Sequence, residues 1–388
     1  MVDTGHPQSS DRSPSIEPIE GDEEHVLATI RWRGEAERVA VVGGPAGWST
    51  QNGLMDRLDG SDLWTRSFRI PRELRTVYAL LPDPPAELEF TPELWYSLQP
   101  DPLNPRTYVF PGDDEDPEWA RDAPRSVLEG PDTPAQPWIG ARAGTPAGTT
   151  ELHRFRSEIL DNERRVYVYT PPGFDRAGDA YPLLVVFDGW AYVELIPAPT
   201  ILDNLIAAGR IPPLVAVLPD SLSQEARDRE LPCHPPFVEF LTGELLPWAR
   251  ERWHATDDPA RTTVAGSSYG GLAAAFAALS RPDVFGNVLS QSGSFGWRPD
   301  GGDEPDWLIG QFEATERLPL RFSLDAGLLE EGRPRGWASI LEANRRLRGV
   351  LEAKGYPVAY AEYAGGHDYI CWAGTLADGL LALAREPA

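Results

Sequence analysis

The pattern of apolar and polar positions divides the chain into two parts with different periodicities. Up to about residue 110, short segments alternate apolar with polar residues and are separated by Gly- and Pro-containing turns, as in Leu63–Ile70. One segment, 37–44, ends at the pair Gly43-Gly44. Alternation with a period of two is typical of half-buried β-strands, and helical periodicity is missing from this part. We therefore predict an antiparallel β-sandwich over 23–111.

Continuous apolar runs replace the alternation from about residue 151. The runs 182–187 and 214–218 are typical of strands buried on both faces of a sheet. Predicted helices follow such strands, at 199–209, 237–252, 337–354 and 374–384, and one more follows the strand 262–265 and ends at about 280. Because buried strands that alternate with helices form parallel sheets, we predict an α/β domain with a mostly parallel sheet over 151–388.

Two further segments lack either pattern. Residues 112–150 are rich in Pro, Gly, Ala and acidic residues, which predicts a linker. Residues 1–22 are polar and acidic and predict a disordered tail. This tail lacks the apolar segment of a secretory signal, and no run of about 18 apolar residues predicts a membrane helix. We therefore expect a cytoplasmic protein that does not bind membranes.

The composition narrows the class of ligand. A formal net charge of −25 repels nucleic acid and anionic membranes, so the expected partner is a small molecule. Two cysteines, Cys233 and Cys371, form neither a disulfide framework nor a zinc-binding spacing. We therefore expect no bound metal and no cofactor.

One short motif carries candidate chemistry. Gly266-Ser267-Ser268-Tyr269-Gly270 fits the pattern G-x-S-x-G, which also arises by chance as a Gly/Ser turn that caps a helix. Here a β-branched run precedes the motif and an alanine-rich run follows it. A strand, a sharp turn and a helix of small residues are the context of a nucleophile elbow. This context favours Ser268 as the nucleophile and gives Ser267 a packing role.

A serine nucleophile needs a general base and an acid that orients it. The hydrolases with this elbow have the chain order Ser, acid, His, and only His367 of the six histidines follows Ser268. The acid is expected after the strand 321–325. We favour Glu330, with Glu331 second and Asp325 and Asp368 as further alternatives.

The oxyanion of the reaction needs two backbone N–H donors. One is predicted at Tyr269, the residue after the nucleophile. The other is predicted at Trp190, in the loop that follows strand 182–187, where Gly189 permits a sharp turn.

Several longer stretches carry a resemblance to a known family. The chain resembles the enterochelin (ferric enterobactin) esterases, siderophore trilactone hydrolases related to esterase D. The resemblance extends over about 24–385, and its main motifs are Val186-Phe187-Asp188-Gly189, Glu230-Leu231-Pro232-Cys233, Glu244-Leu245-Leu246-Pro247, Ala265-Gly266-Ser267-Ser268-Tyr269-Gly270-Gly271, Val288-Leu289-Ser290-Gln291-Ser292-Gly293-Ser294, Gly365-Gly366-His367-Asp368-Tyr369, Asp62-Leu63-Trp64 and Asp101-Pro102-Leu103-Asn104-Pro105.

The resemblance implies an α/β-hydrolase domain behind an immunoglobulin-like β-sandwich, in a cytoplasmic enzyme. It also implies cleavage of the serine ester bonds of a cyclic tri-catecholate, which aids iron release, so that iron arrives only as part of the substrate. Position by position it supports Ser268, His367 and Glu330. The chain departs from the family at two positions. It has Trp190 where the family usually has an acidic residue, and His234 where the family tends to have Asn.

Aromatic and cationic residues near these motifs suggest how an aryl, anionic substrate is bound. Arg227, Arg229, Arg298 and Arg333 lie in candidate loops, and we favour Arg229 for the anion. The predicted substrate contacts are Gly189, Tyr192, Arg229, His234, Trp297 and Trp372. Two alternatives stay open: an esterase or acyltransferase that acts on another aryl, depsipeptide or carbohydrate ester, and a binding protein without catalysis. Hydrolase and transferase share an acyl-enzyme, so the sequence does not separate them.

Overall fold

The computed structural model describes residues 12–299, 301–302, 305–332 and 339–385 of the 388-residue chain. The chain forms two compact units. The first comprises the described residues up to Ala135 together with Ala364–Ile370. The second comprises Gln136–Gly332, the described residues from there to Tyr363, and the chain from Cys371 onward. Arg333 lies outside the described residues.

The first unit is built on two four-stranded sheets. One sheet has the order β1-β2-β5-β4 and the other β3-β6-β8-β7. Their strands are β1 (Ser15–Ile19), β2 (Asp22–Arg33), β3 (Val39–Gly43), β4 (Asp56–Arg57), β5 (Leu63–Pro71), β6 (Arg75–Pro82), β7 (Thr107–Phe110) and β8 (Ala123–Glu129). The pairings between these eight strands are antiparallel. In β2 every second residue from Val26 to Trp32 is buried, as the alternating pattern requires.

Two segment predictions at the borders of this unit need correction. Ser15–Ile19, placed in the disordered tail, pairs with β2, while residues 1–11 lie outside the described residues. Ala123–Glu129, placed in the linker, pairs with both β6 and β7. The Pro- and Asp-rich composition around this strand hid it, because its own stretch of seven residues is short.

The second unit has an eight-stranded sheet of order β16-β15-β14-β13-β11-β12-β10-β9. The strands are β9 (Thr149–Ser157), β10 (Asn162–Thr170), β11 (Leu183–Val186), β12 (Val215–Pro219), β13 (Thr262–Ser267), β14 (Asn287–Gln291), β15 (Arg321–Gly327) and β16 (Val358–Tyr363). The strands from β16 to β12 pair in parallel, and β10 pairs antiparallel with β12 and β9. The predicted mostly parallel α/β-hydrolase sheet is confirmed.

Helices lie between the strands of both units. They are α1 (Thr50–Gly53) and α2 (Pro92–Ser97) in the first unit, then α3 (Gly189–Glu194), α4 (Ala198–Ala207), α5 (Gln224–Glu230), α6 (Pro235–Phe240), α7 (Leu246–Trp253), α8 (Tyr269–Ser280), α9 (Trp307–Ala314), α10 (Ile340–Ala353) and α11 (Tyr369–Ala384). A π-helical turn, Leu241–Leu245, joins α6 to α7. Across the described part of the chain, no helix has the length and apolar character needed to span a membrane.

The centre of the second unit is the contact of α8 with β13 and β14. From Gly270 to Ala278 every residue of α8 is buried, and most of these residues are Gly or Ala. Small side chains let the helix axis lie close to the sheet. The turn between β13 and α8 is therefore held on both sides by tightly packed backbone.

Candidate active site

Ser268 lies at the turn between β13 and α8 with an unusual backbone conformation. Its φ is 57° and its ψ −119°, a region that costs a non-glycine residue on the order of 1–3 kcal/mol. Three backbone hydrogen bonds hold it there: its N–H donates to the carbonyl of Gln291 (2.9 Å), and its own carbonyl accepts from Leu272 N (3.1 Å) and Ser294 N (3.0 Å). Such a held, strained serine is the geometry of a nucleophile elbow.

The two adjacent serines differ in exposure. Ser267 is 2% exposed, whereas Ser268 is only half-buried, and its Oγ lies 3.2 Å from the Oγ of Ser294. A nucleophile must reach its substrate, so the accessible hydroxyl at the turn is that of Ser268.

Glycine lets β13 and α8 meet at this turn. A Cβ on Gly266 would lie 2.6 Å from the carbonyl carbon of Gly270, and one on Gly271 would lie 2.3 Å from Ser290 Oγ. Both distances are shorter than any real Cβ contact. Gly266 and Gly271 are therefore required by packing.

Glu330 ends a short 3₁₀ turn, Leu328–Glu330, after β15 and is buried. Its Oε2 accepts hydrogen bonds from the N–H of Gly327 (2.6 Å) and from the hydroxyl of Ser292 (2.8 Å). The Ser292 hydroxyl also lies 2.8 Å from the hydroxyl of Tyr363 and accepts from Trp372 Nε1 at 3.1 Å. Burial and the charge of Glu330 raise the pKa of Tyr363 well above its ordinary value, so the phenol stays neutral.

The nucleophile and this acid are fixed by the same short turn. Gln291 and Ser294 hold the backbone of Ser268, and Ser292, between them, holds the carboxylate of Glu330. The end of β14 thus sets the position of both residues.

The other candidate acids are less suited to the role. Burial, reinforced by the charge of Glu330, raises the pKa of Asp325 to about 8, so this carboxyl is mostly protonated at neutral pH and does not stabilise an imidazolium. Glu331 is exposed. The Asp368 carboxylate accepts hydrogen bonds from the hydroxyl of Thr76 and from Val77 N. The geometry favours Glu330 among the four.

His367 belongs to the first unit, through the segment Ala364–Ile370. The segment lies beside β6: the N–H of Arg75 donates to the carbonyl of Ala364 at 2.8 Å, and Arg75 pairs with Gly365 in a parallel bridge. His367 itself is partly exposed.

The two predicted oxyanion donors differ in the structure. Tyr269 is the first residue of α8, directly after Ser268, and stays a prediction as an oxyanion donor. The prediction for Trp190 is wrong, because its N–H donates to Asp220 Oδ1 at 3.0 Å. The physical reason is the left-handed Asp188 (φ 58°), which starts α3 with its first amides directed towards the residue that follows β12.

Gly189, predicted as a substrate contact, has a packing role. A Cβ there would lie 2.2 Å from the carbonyl oxygen of Leu218, in β12. Only glycine allows α3 to begin this close to the strand.

The arginine beside the elbow is Arg227. It makes two hydrogen bonds to the Asp188 carboxylate (2.9 and 2.8 Å), and its guanidinium lies 5.8 Å from the ring centroid of Tyr269. Arg229, which we favoured from the sequence, is exposed and pairs with Glu230 at 3.2 Å. Arg227 was among the sequence candidates, but only the fold separates two arginines on one helix.

Two predicted aromatic contacts are buried instead. Tyr192 is 0% exposed and its hydroxyl donates to Gln291 Oε1 at 2.7 Å, while Trp372 is 2% exposed and donates to Ser292. Their predicted role in lining a substrate pocket is wrong, because both use their polar atoms inside the protein. The sequence signal that we missed is that a buried Tyr or Trp also needs a hydrogen-bond partner.

Trp297 and His234 stay predictions as substrate contacts. Trp297 is half-buried, three residues after Ser294, and its N–H donates to the Ser294 carbonyl at 3.0 Å. His234 is half-buried before α6, and among the described residues its Nδ1 has no hydrogen-bond partner. Burial lowers the pKa of His234, which favours the neutral imidazole.

Two family models match the chain. The family described as "Putative esterase" matches residues 157–383, and the family "Enterochelin esterase, N-terminal" matches residues 28–139. The iron(III) enterobactin esterase of Dickeya dadantii is 36% identical over 363 residues, which cover 85% of this chain and 79% of that protein.

Solved structures agree with this similarity over nearly the whole chain. The crystal structure of the Shigella flexneri enterobactin esterase in the presence of enterobactin matches with a TM-score of 0.76 and 30% identity, over 98% of this chain and 99% of that one. The ferric enterobactin esterase of Salmonella typhimurium matches with a TM-score of 0.78 and 29% identity, over 96% of each chain. The chain therefore belongs to the enterobactin esterase family.

Proposed function

We propose that this esterase hydrolyses the ester bonds in the trilactone of a catecholate siderophore such as ferric enterobactin, which aids iron release in the cytoplasm. The observation that carries the proposal is Ser268, held in a strained elbow in a chain that is similar along nearly its whole length to enterobactin esterases. The alternative of a binding protein without catalysis leaves this strained serine without a role.

Acylation begins when His367, as general base, removes the proton of the Ser268 hydroxyl. The Ser268 oxygen attacks an ester carbonyl of the trilactone, and the carbonyl oxygen becomes an oxyanion. The N–H of Tyr269, at the start of α8, stabilises that charge together with the positive end of the helix dipole. Collapse of the intermediate breaks the ester bond, and His367 returns the proton to the departing serine hydroxyl of the substrate.

Deacylation repeats the same steps with water as nucleophile. His367 takes a proton from water, hydroxide attacks the acyl-Ser268 ester, and Ser268 leaves with the proton from His367. The linear product carries one new carboxylate and one new hydroxyl. Glu330 keeps the imidazole oriented and stabilises its cation, a role that fits a buried carboxylate fixed by Ser292 and Gly327.

The charge of the protein fits a small-molecule substrate. At a formal −25 the chain repels nucleic acid and anionic membranes. A ferric tris-catecholate is also anionic, so its binding needs a cation near the site. Arg227 is the proposed cation: it lies beside the elbow, where it makes two hydrogen bonds to the Asp188 carboxylate. Iron takes part only as cargo of the substrate.

Two serine variants test the proposal. Ferric and iron-free cyclic catecholate trilactones are incubated with the wild type, Ser268→Ala and the matched control Ser267→Ala, and products are read by mass. We expect linear products from the wild type and from Ser267→Ala. Ser268→Ala should lose at least about 10³-fold in rate. Turnover of the trilactone by Ser268→Ala at the wild-type rate contradicts the proposal.

Covalent labelling gives an independent readout of the nucleophile. A fluorophosphonate should modify the peptide that contains Ser268 in the wild type and in Ser267→Ala. It should leave Ser268→Ala unmodified. Labelling that survives in Ser268→Ala at this peptide would assign the nucleophile to Ser267.

A further inference from the structure

The segment that carries His367 lies along the part of β6 that β3 does not reach, in the first unit. Strand β3 pairs with β6 only over Tyr78–Pro82, because it ends at Gly43. Gly43 and Gly44 have φ values of 83° and 53°, and the strand gives way there to a 3₁₀ turn, Gly44–Ala46. A Cβ on Gly44 would lie 3.1 Å from the Thr76 side chain. The edge of β6 at residues 75–77 is therefore not paired with β3.

Residues 364–368 take this edge. The N–H of Arg75 donates to Ala364, and Arg75 and Gly365 form a parallel bridge. Three positions after Gly365, the carboxylate of Asp368 accepts from the hydroxyl of Thr76 and from the N–H of Val77, the latter at 3.3 Å. His367 lies between these two anchors.

The anchoring strand is itself rigid at this point. Thr76 is 0% exposed, and the Arg75 side chain pairs with Glu129 of β8 at 2.7 Å, where both side chains are largely buried. The opposite edge of β6 pairs with β8 over residues 75–78. The groups that hold the histidine segment thus belong to an interior strand with little freedom.

A further contact extends the anchor beyond Asp368. The ring of Tyr369 meets that of Phe110, in β7, edge-on with centroids 6.2 Å apart. Residues on both sides of His367 are therefore held by one sheet, and a histidine with such fixed neighbours needs little reorganisation when it accepts a proton.

We propose that Thr76 is a positioning residue for the general base: through Asp368 it fixes the segment of His367 and thereby the orientation of the imidazole. The inference rests on the proposed role of His367.

The test compares three variants of the full chain on the ferric trilactone. Thr76→Val removes the hydroxyl with little change in volume, Thr76→Ser keeps it, and Thr29→Val is the matched control. Thr29 lies in β2, in the other sheet, where its hydroxyl meets that of Ser67 at 2.8 Å. We expect Thr76→Val to lower kcat about tenfold to a hundredfold with KM nearly unchanged. Thr76→Ser and Thr29→Val should stay within about twofold of the wild type.

Three additional measurements extend this test, and the first of them stays interpretable if Thr76→Val is poorly folded. Asp368→Ala breaks the same contact from a partly exposed position and should lower kcat similarly. The double variant Thr76→Val/Asp368→Ala should be no slower than the slower single variant, because both remove one contact. The rate of fluorophosphonate labelling of Ser268 should fall in parallel, since it also depends on the base.

The outcomes separate this inference from the function on which it rests. Wild-type kcat in Asp368→Ala, or equal losses in Thr76→Val and Thr76→Ser, overturns the positioning role. His367→Ala reports on the function itself: if it still hydrolyses the trilactone at the wild-type rate, His367 is not the base. If His367→Ala is inactive while Asp368→Ala has the wild-type kcat, the proposed function stands and only the positioning role of Thr76 is overturned.

Discussion

At the scale of single residues, Ser292 shows how one hydroxyl can order an active site. It has a left-handed backbone (φ 48°), is 0% exposed, and its Oγ meets Glu330, Tyr363 and Trp372. We expect Ser292→Ala to lower kcat about tenfold, with little change in KM, because Glu330 loses the donor that orients it. Steady-state kinetics on the trilactone measure this.

Ser290 provides the matched control for that prediction. It is equally buried and lies two residues earlier, in β14, but among the described residues its Oγ has no hydrogen-bond partner. Ser290→Ala should therefore leave kcat unchanged and alter the free energy of unfolding by no more than about 1 kcal/mol. An equal loss of kcat in both variants would show that any change near the end of β14 is harmful, and the role of Ser292 would not stand.

Asp325 makes stability depend on pH. Its folded pKa of about 8 exceeds the ordinary value of 3.8, because burial disfavours the charged form. The folded state thus keeps a proton that the unfolded chain loses, and stability is lost as pH rises from about 4 to about 8. We expect the free energy of unfolding of the wild type, minus that of Asp325→Asn, to fall between pH 5 and pH 9 in urea titrations.

Asp283 is the control carboxylate for this comparison. It is exposed, and its hydrogen bond to Arg281 lowers its pKa, so it is ionised in both states over the whole pH window. The corresponding difference for Asp283→Asn should stay flat from pH 5 to pH 9. A flat difference for Asp325→Asn as well would mean that Asp325 is ionised in the folded protein.

At the scale of elements, the two glycines of the G-x-S-x-G motif differ in how much space surrounds them: there is no room for a side chain at Gly266, but there is at Gly270. A Cβ on Gly266 would collide with the backbone of Gly270, whereas a Cβ on Gly270 meets only Asp188 Oδ2 at 3.5 Å and Phe187 Cβ at 3.6 Å. We expect Gly266→Ala to lower the midpoint of thermal unfolding by about 5 °C or more and to abolish activity.

Gly270→Ala should be tolerated, although it breaks the G-x-S-x-G pattern. Its new methyl group makes ordinary contacts, and Ala favours a helix over Gly by up to about 1 kcal/mol. Calorimetry should place its midpoint within about 2 °C of the wild type. The reverse order of the two midpoints would show that the packing at the elbow differs from this structure.

The elements that the sequence predicted correctly are those with a local signal. Strand β13, the turn at Ser268 and helix α8 follow one another within a few residues, and their β-branched, Gly and Ala content identifies them. The N–H of Trp190 was assigned wrongly because its acceptor, Asp220, lies thirty positions away, after the next parallel strand. The pairing of β8 with β6 across the Pro-rich stretch has the same non-local origin.

At the scale of the whole molecule, sequence order does not determine which unit holds a residue. His367 follows β16 of the second unit, yet its segment clusters with the first unit through contacts to residues near position 76. Such contacts join residues almost three hundred positions apart, and neither periodicity nor motif spacing encodes them. The chain order Ser, acid, His was predictable, whereas the support of the histidine was not.

The net charge of −25 leads to a prediction about substrate capture. An anionic ferric tris-catecholate approaches a strongly anionic protein, so long-range repulsion should slow its association at low ionic strength. Salt screens this repulsion, since the Debye length shortens from about 20 Å to about 6 Å between about 20 mM and 300 mM salt. We expect kcat/KM for the ferric trilactone to rise about threefold over this range.

An uncharged aryl ester is the control substrate, because salt can change its kcat/KM only through an effect on the enzyme itself. The ratio of kcat/KM for the ferric trilactone to kcat/KM for this ester removes that common effect and leaves the electrostatic part. If the ratio instead falls as salt is added, a local positive field around Arg227 outweighs the net charge and steers the anion to the elbow. Arg227→Gln should then reduce the salt dependence, which makes the sign of the slope a direct measure of which field the substrate encounters.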